Sequence, residues 1–104
     1  MPIVNGSKTF VHLLEILSRK WSLVVVYLLI DGEKRFSELE RSISGVSPKV
    51  LTQTLYTLTK YGIVEREVDT SSPIKVRYKL TKKGRELARI VEEIKEWSER
   101  WGNF

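Results

Sequence analysis

The chain of 104 residues holds 18 Lys and Arg against 13 Asp and Glu, a net charge of +5 at pH 7, and its length predicts one domain. It has no cysteine and one histidine, which excludes disulfides, thiol catalysis and thiolate metal sites, so we expect neither a metal nor a cofactor. The longest apolar run, residues 23–30, is too short to cross a bilayer and no signal-peptide pattern opens the chain, so we expect a soluble, cytoplasmic protein.

Two apolar segments occupy the first third of the chain. In the first segment, four residues recur at the i, i+3, i+4, i+7 spacing of a helix with one buried face, namely Phe10, Leu13, Leu14 and Leu17. The second segment, WSLVVVYLLI (21–30), is rich in β-branched residues yet long enough for a buried helix, so its periodicity does not distinguish a strand from a helix.

A helix-turn-helix is predicted next. Ser37 is followed by Glu40 at the spacing of a capping box, which predicts that a helix begins at Ser37. Gly45 is suited to end that helix in a left-handed conformation. Ser47 and Pro48 then have the residue types of an N-cap and a first helical residue. The short connection containing glycine has the size of a helix-turn-helix corner.

The period changes to two after this pair of helices. IVEREVD (63–69) and IKVRYKL (74–80) alternate apolar and polar residues around a TSSP loop, which predicts a β-hairpin. Thr81 then caps a last helix whose apolar residues recur at helical spacing, namely Leu87, Ile90, Val91, Ile94, Trp97 and Trp101. The predicted fold is mainly α with a small β-hairpin, a winged helix-turn-helix: the helix-turn-helix spans about 37–61, the wing about 63–80 and the last helix about 81–101.

The second helix of the pair contains no acid, and none occurs between Arg41 and Val64. On a wheel of 100° per residue, its leucines define the buried edge and a polar stripe falls opposite. Glutamine can bond adenine, lysine can reach guanine or phosphate, and threonine can offer a methyl group to thymine, whereas carboxylates would repel phosphates. Its predicted DNA-binding residues are Ser47, Pro48, Lys49, Thr52, Gln53, Tyr56, Thr57 and Lys60. The alternative is an ordinary solvated face.

The whole basic excess lies in residues 47–83, which hold eight basic and three acidic residues. A localised excess is typical of a surface that binds a polyanion; the alternative is a charge that only keeps the protein soluble. In the wing, Lys75 and Arg77 could contact a flanking minor groove or its phosphates, with Arg66 on the partner strand. Alternatively, these three bases pair across the hairpin with Glu65, Glu67 or Asp69.

The sequence resembles the HxlR-type winged-helix transcriptional regulators of the MarR-like superfamily, from about Leu14 to Trp97. The matching motifs are Lys20-Trp21, RFSELERSISGVSPKVLTQTL (35–55), Gly62-Ile63-Val64 and PIKVRYKLTKKGREL (73–87). Three features depart from the family pattern. The chain lacks the cysteine that some relatives use to sense oxidants, so that mechanism is excluded. Arg19 replaces a common glycine, and Arg77 replaces a frequent acid.

The resemblance implies a homodimeric DNA-binding repressor or activator in which WSLVVVYLLI is helical and residues 47–61 form the recognition helix. It also implies a dimer interface between the first and last helices, with Phe10, Leu13, Leu14, Leu17, Ile90, Ile94, Trp97 and Trp101 as its residues. A two-fold dimer would present its recognition helices to half-sites one helical turn apart, roughly 34 Å. The aromatic residues of the last helix could instead line a pocket for a small-molecule effector.

The resulting prediction is a homodimeric transcriptional regulator that binds double-stranded DNA sequence-specifically. The main alternative is a non-specific nucleic-acid binder, chromatin-associated or RNA-binding, that uses the same charge without reading bases. A winged helix that binds a partner protein is a second alternative. We do not expect an enzyme, because the sequence shows no nucleophile–base pair and no glycine-rich phosphate loop.

Overall fold

A computed structural model describes residues 8–104. In chain order, its elements are α1 (Lys8–Ile16), α2 (Ser22–Leu28), α3 (Phe36–Ser42), α4 (Pro48–Lys60), β1 (Val64–Asp69), β2 (Lys75–Leu80) and α5 (Lys82–Trp101). Four of the five helices and the antiparallel hairpin occur in the order that the sequence pattern predicted. Within residues 8–104, no helix combines the length and the apolar character that a membrane span requires.

The ambiguous segment after α1 is helical, as the family resemblance implied. It forms α2, which packs against α3, α4 and α5. Val25, Val26 and Leu29 are at most 2% exposed, so three branched side chains anchor this helix in the core. Their burial outweighs the modest helix propensity of valine, because tertiary packing provides most of the stability of a short helix.

The hydrophobic core lies between α2, α3, α4, the base of the hairpin and α5. Its buried apolar residues are Val25, Val26, Leu29, Leu39, Ile43, Leu51, Leu55, Leu58, Ile63, Val64, Leu80, Ala88 and Val91. By contrast, α1 buries none of its residues. Directly after α1, Leu17 packs in part against the core. Phe10 and Leu14, on the apolar side of α1, are exposed to solvent in the single chain.

The helix α3 begins one residue before the start that the sequence suggested. Its N-cap is Arg35, whose backbone N–H donates to the carboxylate of Glu38 (2.9 Å), so the prediction of a start at Ser37 is wrong. The capping carboxylate is that of Glu38 instead of Glu40, and Phe36, the first helical residue, packs in part against the core. At the other end of the corner, Gly45 adopts a φ of +88°, as predicted for a left-handed turn.

The helix α4 is capped as the sequence predicted. The Ser47 hydroxyl accepts a hydrogen bond from the Val50 N–H (3.1 Å), and Pro48 is the first helical residue. The three leucines of the buried edge are at most 2% exposed: Leu51, Leu55 and Leu58. Thr54 is also fully buried, and its hydroxyl donates to the Val50 carbonyl (2.8 Å). Not every threonine of this helix is therefore exposed to solvent.

The hairpin pairs Val64 with Leu80 at its base and Asp69 with Lys75 at its tip. On the other side of β2, Tyr78 exchanges two backbone hydrogen bonds with Lys34, at 2.9 and 2.8 Å. The base of the wing is therefore held on both sides of β2, by β1 and by the segment between α2 and α3.

The junction between the hairpin and α5 is closely packed. The Thr81 N–H donates to the Ile63 carbonyl (3.1 Å), and the Thr81 hydroxyl accepts from the Gly84 N–H (3.0 Å), which confirms Thr81 as the N-cap of α5. A Cβ atom at Gly84 would lie 2.1 Å from the Ile63 carbonyl oxygen, so only glycine fits where the first turn of α5 crosses the start of β1.

Candidate nucleic-acid interface

The exposed face of α4 consists of polar and cationic side chains. Lys49, Thr52, Gln53 and Lys60 are exposed, and Tyr56 is 68% exposed. None of the ion pairs formed among residues 8–104 involves either lysine of this face. Because α4 contains no acid, the face combines two uncompensated charges with an amide, a hydroxyl and a phenol. We call this set the α4 stripe.

The remaining predicted residues of α4 lie at its edges. Ser47 and Pro48 are exposed at the N-terminus of the helix, where backbone N–H groups favour anions. Thr57 is half-buried, and its hydroxyl donates to the Gln53 carbonyl (3.0 Å). That bond occupies the Thr57 hydroxyl hydrogen within the helix and leaves the oxygen as an acceptor.

A residue outside the predicted site contacts the α4 stripe. The Arg19 guanidinium, from the turn between α1 and α2, donates to the side-chain carbonyl oxygen of Gln53 (3.3 Å). In the sequence, Arg19 stands out only as a departure from the family pattern. The pairing joins residues 34 positions apart, and no local pattern predicts such a contact.

The polar face of the wing has a balanced charge. The register places Glu65, Glu67 and Asp69 opposite Lys79, Arg77 and Lys75. Arg77 forms an ion pair with Glu33 (3.1 Å) in the segment before Lys34, rather than with an acid of the hairpin. Lys79 pairs with Glu67 across the hairpin. Part of the positive charge that the sequence assigned to the wing is therefore compensated.

Hydrogen bonds stabilise the ionised forms of two wing residues, Lys79 and Asp69. The bond to Glu67 raises the pKa of Lys79 above its ordinary value, with the charges of Glu67 and Glu65 adding to the effect. Hydrogen bonds from the Ser71 hydroxyl (2.7 Å) and N–H (3.0 Å) lower the pKa of Asp69. An ionised carboxylate thus remains at the wing tip, close to Lys75.

The hairpin separates the three basic residues predicted to bind DNA. Arg66 lies opposite Tyr78, on the face of the hairpin that alternates with the polar one, and it is exposed. Lys75 and Arg77 lie on the polar face and are partly buried. A DNA strand that passes along one face of the wing would therefore meet Arg66 or the other two residues, but not all three from the same side.

Most of the predicted dimer residues are exposed in the single chain. Six of the eight are between 49% and 64% exposed, namely Phe10, Leu14, Ile90, Ile94, Trp97 and Trp101. Leu13 and Leu17 are partly buried. On α5, Trp97 also packs against Phe104, with ring centroids 5.5 Å apart. The opposite edge of α5 buries Ala88 and Val91 in the core, so its exposed apolar side is a separate surface.

These features define a winged helix-turn-helix protein: a capped second helix with an exposed polar stripe, followed by a hairpin and a long helix. The family model for the HxlR-like helix-turn-helix matches residues 16–104. The chain therefore belongs to this family and is a helix-turn-helix transcriptional regulator.

Individual relatives agree with the family assignment. The HTH-type transcriptional regulator YvaP of Bacillus subtilis is 38% identical over 92 residues, which cover 88% of this chain and 85% of the relative. The structure of the redox regulator HypR in its reduced form superposes with a TM-score of 0.82 at 40% identity, covering 89% of this chain and 92% of that one. The transcriptional regulator YtcD has a TM-score of 0.82 at 34% identity over the full length of both chains. These relatives are named as regulators rather than as enzymes.

Proposed function

We propose that the protein is a homodimer that binds double-stranded DNA sequence-specifically, with α4 in the major groove and the wing on flanking backbone or minor groove. The α4 stripe is the observation that supports this proposal most strongly. Its side chains are exposed, unpaired with any described acid and of the types that bond base edges and phosphates. The proposed DNA contacts of α4 are Ser47, Pro48, Lys49, Thr52, Gln53, Tyr56, Thr57 and Lys60.

The composition of the stripe favours base readout over purely electrostatic binding. Non-specific binding depends on Lys and Arg contacts to phosphates. The centre of this stripe holds Gln53 and Tyr56 instead, with Lys49 and Lys60 at its ends. In this arrangement the lysines bind the backbone on either side of the groove, and the amide reads a base. Non-specific binding to chromatin or RNA is the second candidate, because the two lysines alone would support it.

The wing has a smaller role in this proposal than the stripe. Lys75 is the proposed wing contact to phosphates along the polar face, whereas Arg77 on that face contributes fully only when its pair with Glu33 opens. Arg66 is a proposed contact only for a strand that passes along the opposite face of the wing. A surface ion pair of this kind contributes little to stability, so the electric field of a DNA strand can compete for the guanidinium. The wing therefore adjusts affinity more than it determines sequence preference.

The homodimer is supported by the exposed apolar sides of α1 and α5. An apolar surface of this extent is typical of a buried interface in the assembled protein. Two-fold symmetry would place the same α5 face of both protomers together and direct two copies of α4 to one side of the dimer. We place this regulator in the cytoplasm. The sequence has no thiol, so sensing of oxidants through cysteine is excluded. Either a small molecule in the dimer cleft is the effector or the regulator has none.

The first test replaces the two lysines of the α4 stripe. For Lys49→Ala/Lys60→Ala, we expect weaker binding to a random-sequence duplex and a smaller salt dependence. The slope of log K against log salt should fall by about 2, since each phosphate that a lysine neutralises adds roughly 0.9 to it. Fluorescence anisotropy across a salt series measures this slope. Arg89→Ala/Arg100→Ala, two exposed sites on α5, makes the same change in net charge and should retain the wild-type slope. Equal slopes for both double variants would remove these lysines from the interface.

A second test concerns the ion pair at the base of the wing. Glu33→Gln should release Arg77 and increase affinity for duplex DNA by roughly two- to fivefold at low salt. The increase should disappear when Arg77→Ala is added. Glu96→Gln on α5 removes one acid elsewhere and serves as the control in the same titration. An identical gain in Glu96→Gln would show that only net charge matters and that Arg77 does not contact DNA.

A further inference from the structure

The turn between α1 and α2 lies beside the α4 stripe. A surface cleft of about 260 Å³ separates the two, and Arg19 lines it together with Tyr56 and Lys60. From the wall of this cleft, Arg19 donates a hydrogen bond to the Gln53 side chain (3.3 Å). Arg19 belongs to neither the helix-turn-helix nor the wing. A residue outside the DNA-binding motif therefore contacts the α4 stripe.

The backbone around Arg19 is held in place. The Ser22 N–H donates to the Arg19 carbonyl (3.2 Å), and the Ser18 hydroxyl donates to the Glu15 carbonyl (2.8 Å). Directly after Arg19 and Lys20, Trp21 packs in part against the core. The turn therefore presents Arg19 from a fixed position, which limits the entropy that is lost when its side chain bonds Gln53.

The guanidinium constrains the orientation of the Gln53 amide. A guanidinium only donates hydrogen bonds, so it bonds the amide oxygen and disfavours the flipped amide, whose NH₂ group would face it. The amide oxygen has two lone pairs, and Arg19 occupies one of them. The second lone pair and the NH₂ group remain free, and together they match the N6 donor and N7 acceptor of adenine. Guanine presents two acceptors at these positions and does not match the amide oxygen.

We propose that Arg19 is a positioning residue that fixes the Gln53 amide for adenine and thereby determines sequence preference at one base pair of the site. Arg19 acts through Gln53. No acid among the described residues forms an ion pair with Arg19, so no carboxylate competes with Gln53 for the guanidinium. This inference rests on the proposed function, because it assigns the orientation of a residue that reads DNA.

The contact itself is testable without DNA. Gln53 is the only glutamine of the chain, beside two asparagines, so its side-chain NH₂ pair is identifiable in a ¹⁵N NMR spectrum. We expect the heteronuclear NOE of the Gln53 side-chain nitrogen to fall in Arg19→Ala, as the amide becomes mobile on the picosecond to nanosecond timescale. Lys20→Ala, one residue along the same turn, is the control and should leave the NOE unchanged. An unchanged NOE in Arg19→Ala would overturn the proposal.

The effect on readout is measured by selection from a random-sequence duplex pool with wild type, Gln53→Ala, Arg19→Ala and the double variant. Gln53→Ala should lose an adenine preference of about 5- to 150-fold at one position. Arg19→Ala should reduce the preference at the same position by about two- to tenfold. In the double variant, the preference should equal that of Gln53→Ala, since Arg19 has no amide left to orient.

Two results would overturn the inference while the proposed function stands. Arg19→Ala could leave the selected sequence unchanged, or it could lose a guanine at a different position, which would mean that Arg19 reads a base itself. Failure of the proposed function is distinguishable, because wild type would then select no sequence. That result would also overturn the readout role of Arg19, whereas the NMR comparison would still decide whether the contact exists.

Discussion

Gly84→Ala is expected to lower the free energy of unfolding by about 3 kcal/mol, at the upper end of the usual cost of overpacking. Its Cβ atom would lie 2.1 Å from the Ile63 carbonyl oxygen, which belongs to the backbone and cannot rotate away. The same oxygen accepts the Thr81 N–H (3.1 Å), so a displacement that relieves the clash also disturbs the N-cap of α5. Thermal unfolding of the purified protein measures the change, expected as a decrease of more than about 10 °C in Tm.

The sign of the change in Tm distinguishes a steric clash at Gly84, which lowers the Tm, from the higher helix propensity of alanine, which would raise it. In an unobstructed helix, replacing glycine by alanine stabilises by roughly 1 kcal/mol. Lys82→Ala, an exposed position in the same first turn, provides the matched control and should change the Tm little. An increase in Tm for Gly84→Ala would contradict the close approach between α5 and β1.

Ile94→Lys is expected to convert the proposed dimer into a monomer. Ile94 is 51% exposed in the single chain, in the middle of the apolar side of α5, so the change should leave the fold of one protomer intact. In the dimer it would bury an ammonium group without a partner, at a cost of several kcal/mol. The dissociation constant of the dimer should rise at least about 100-fold, measured by sedimentation velocity across a dilution series.

The control for this change lies on the same helix. Glu96→Lys introduces the same residue on the polar side of α5, about 200° from Ile94 on a helical wheel, and should leave the dimer intact. If Ile94→Lys sediments like wild type, or if wild type is itself a monomer at micromolar concentration, the apolar sides of α1 and α5 do not form the proposed interface.

Local chemistry predicted much of the fold and of the candidate site. Ser47 and Thr81 are N-caps whose hydroxyls accept hydrogen bonds from N–H groups three residues later, and Pro48 suits the first helical position, so all three positions followed from the sequence. The alternation of apolar and polar residues over 74–80 predicted β2, because successive side chains of a strand point to opposite faces. The buried leucines and the polar stripe of α4 followed from helical periodicity alone.

Features that depend on tertiary contacts did not follow from the sequence. The start of α3 lies at Phe36 rather than Ser37 because Glu38, not Glu40, is the residue that bonds the N-cap backbone, and the Phe36 side chain packs in part against the core. The helical state of α2 was ambiguous, since both a buried helix and a buried strand are continuously apolar. The pair of Arg77 with Glu33 requires the bridge between Tyr78 and Lys34, and no spacing rule connects segments so far apart.

The most direct test of base readout by a dimeric α4 is the motif selected by the wild-type protein from a random-sequence duplex pool at physiological salt. We predict enrichment of an inverted repeat, with half-site centres about one helical turn or roughly 34 Å apart. Binding that persists at this salt without enrichment of any sequence would contradict base readout, and the α4 stripe would then be a surface for phosphates alone.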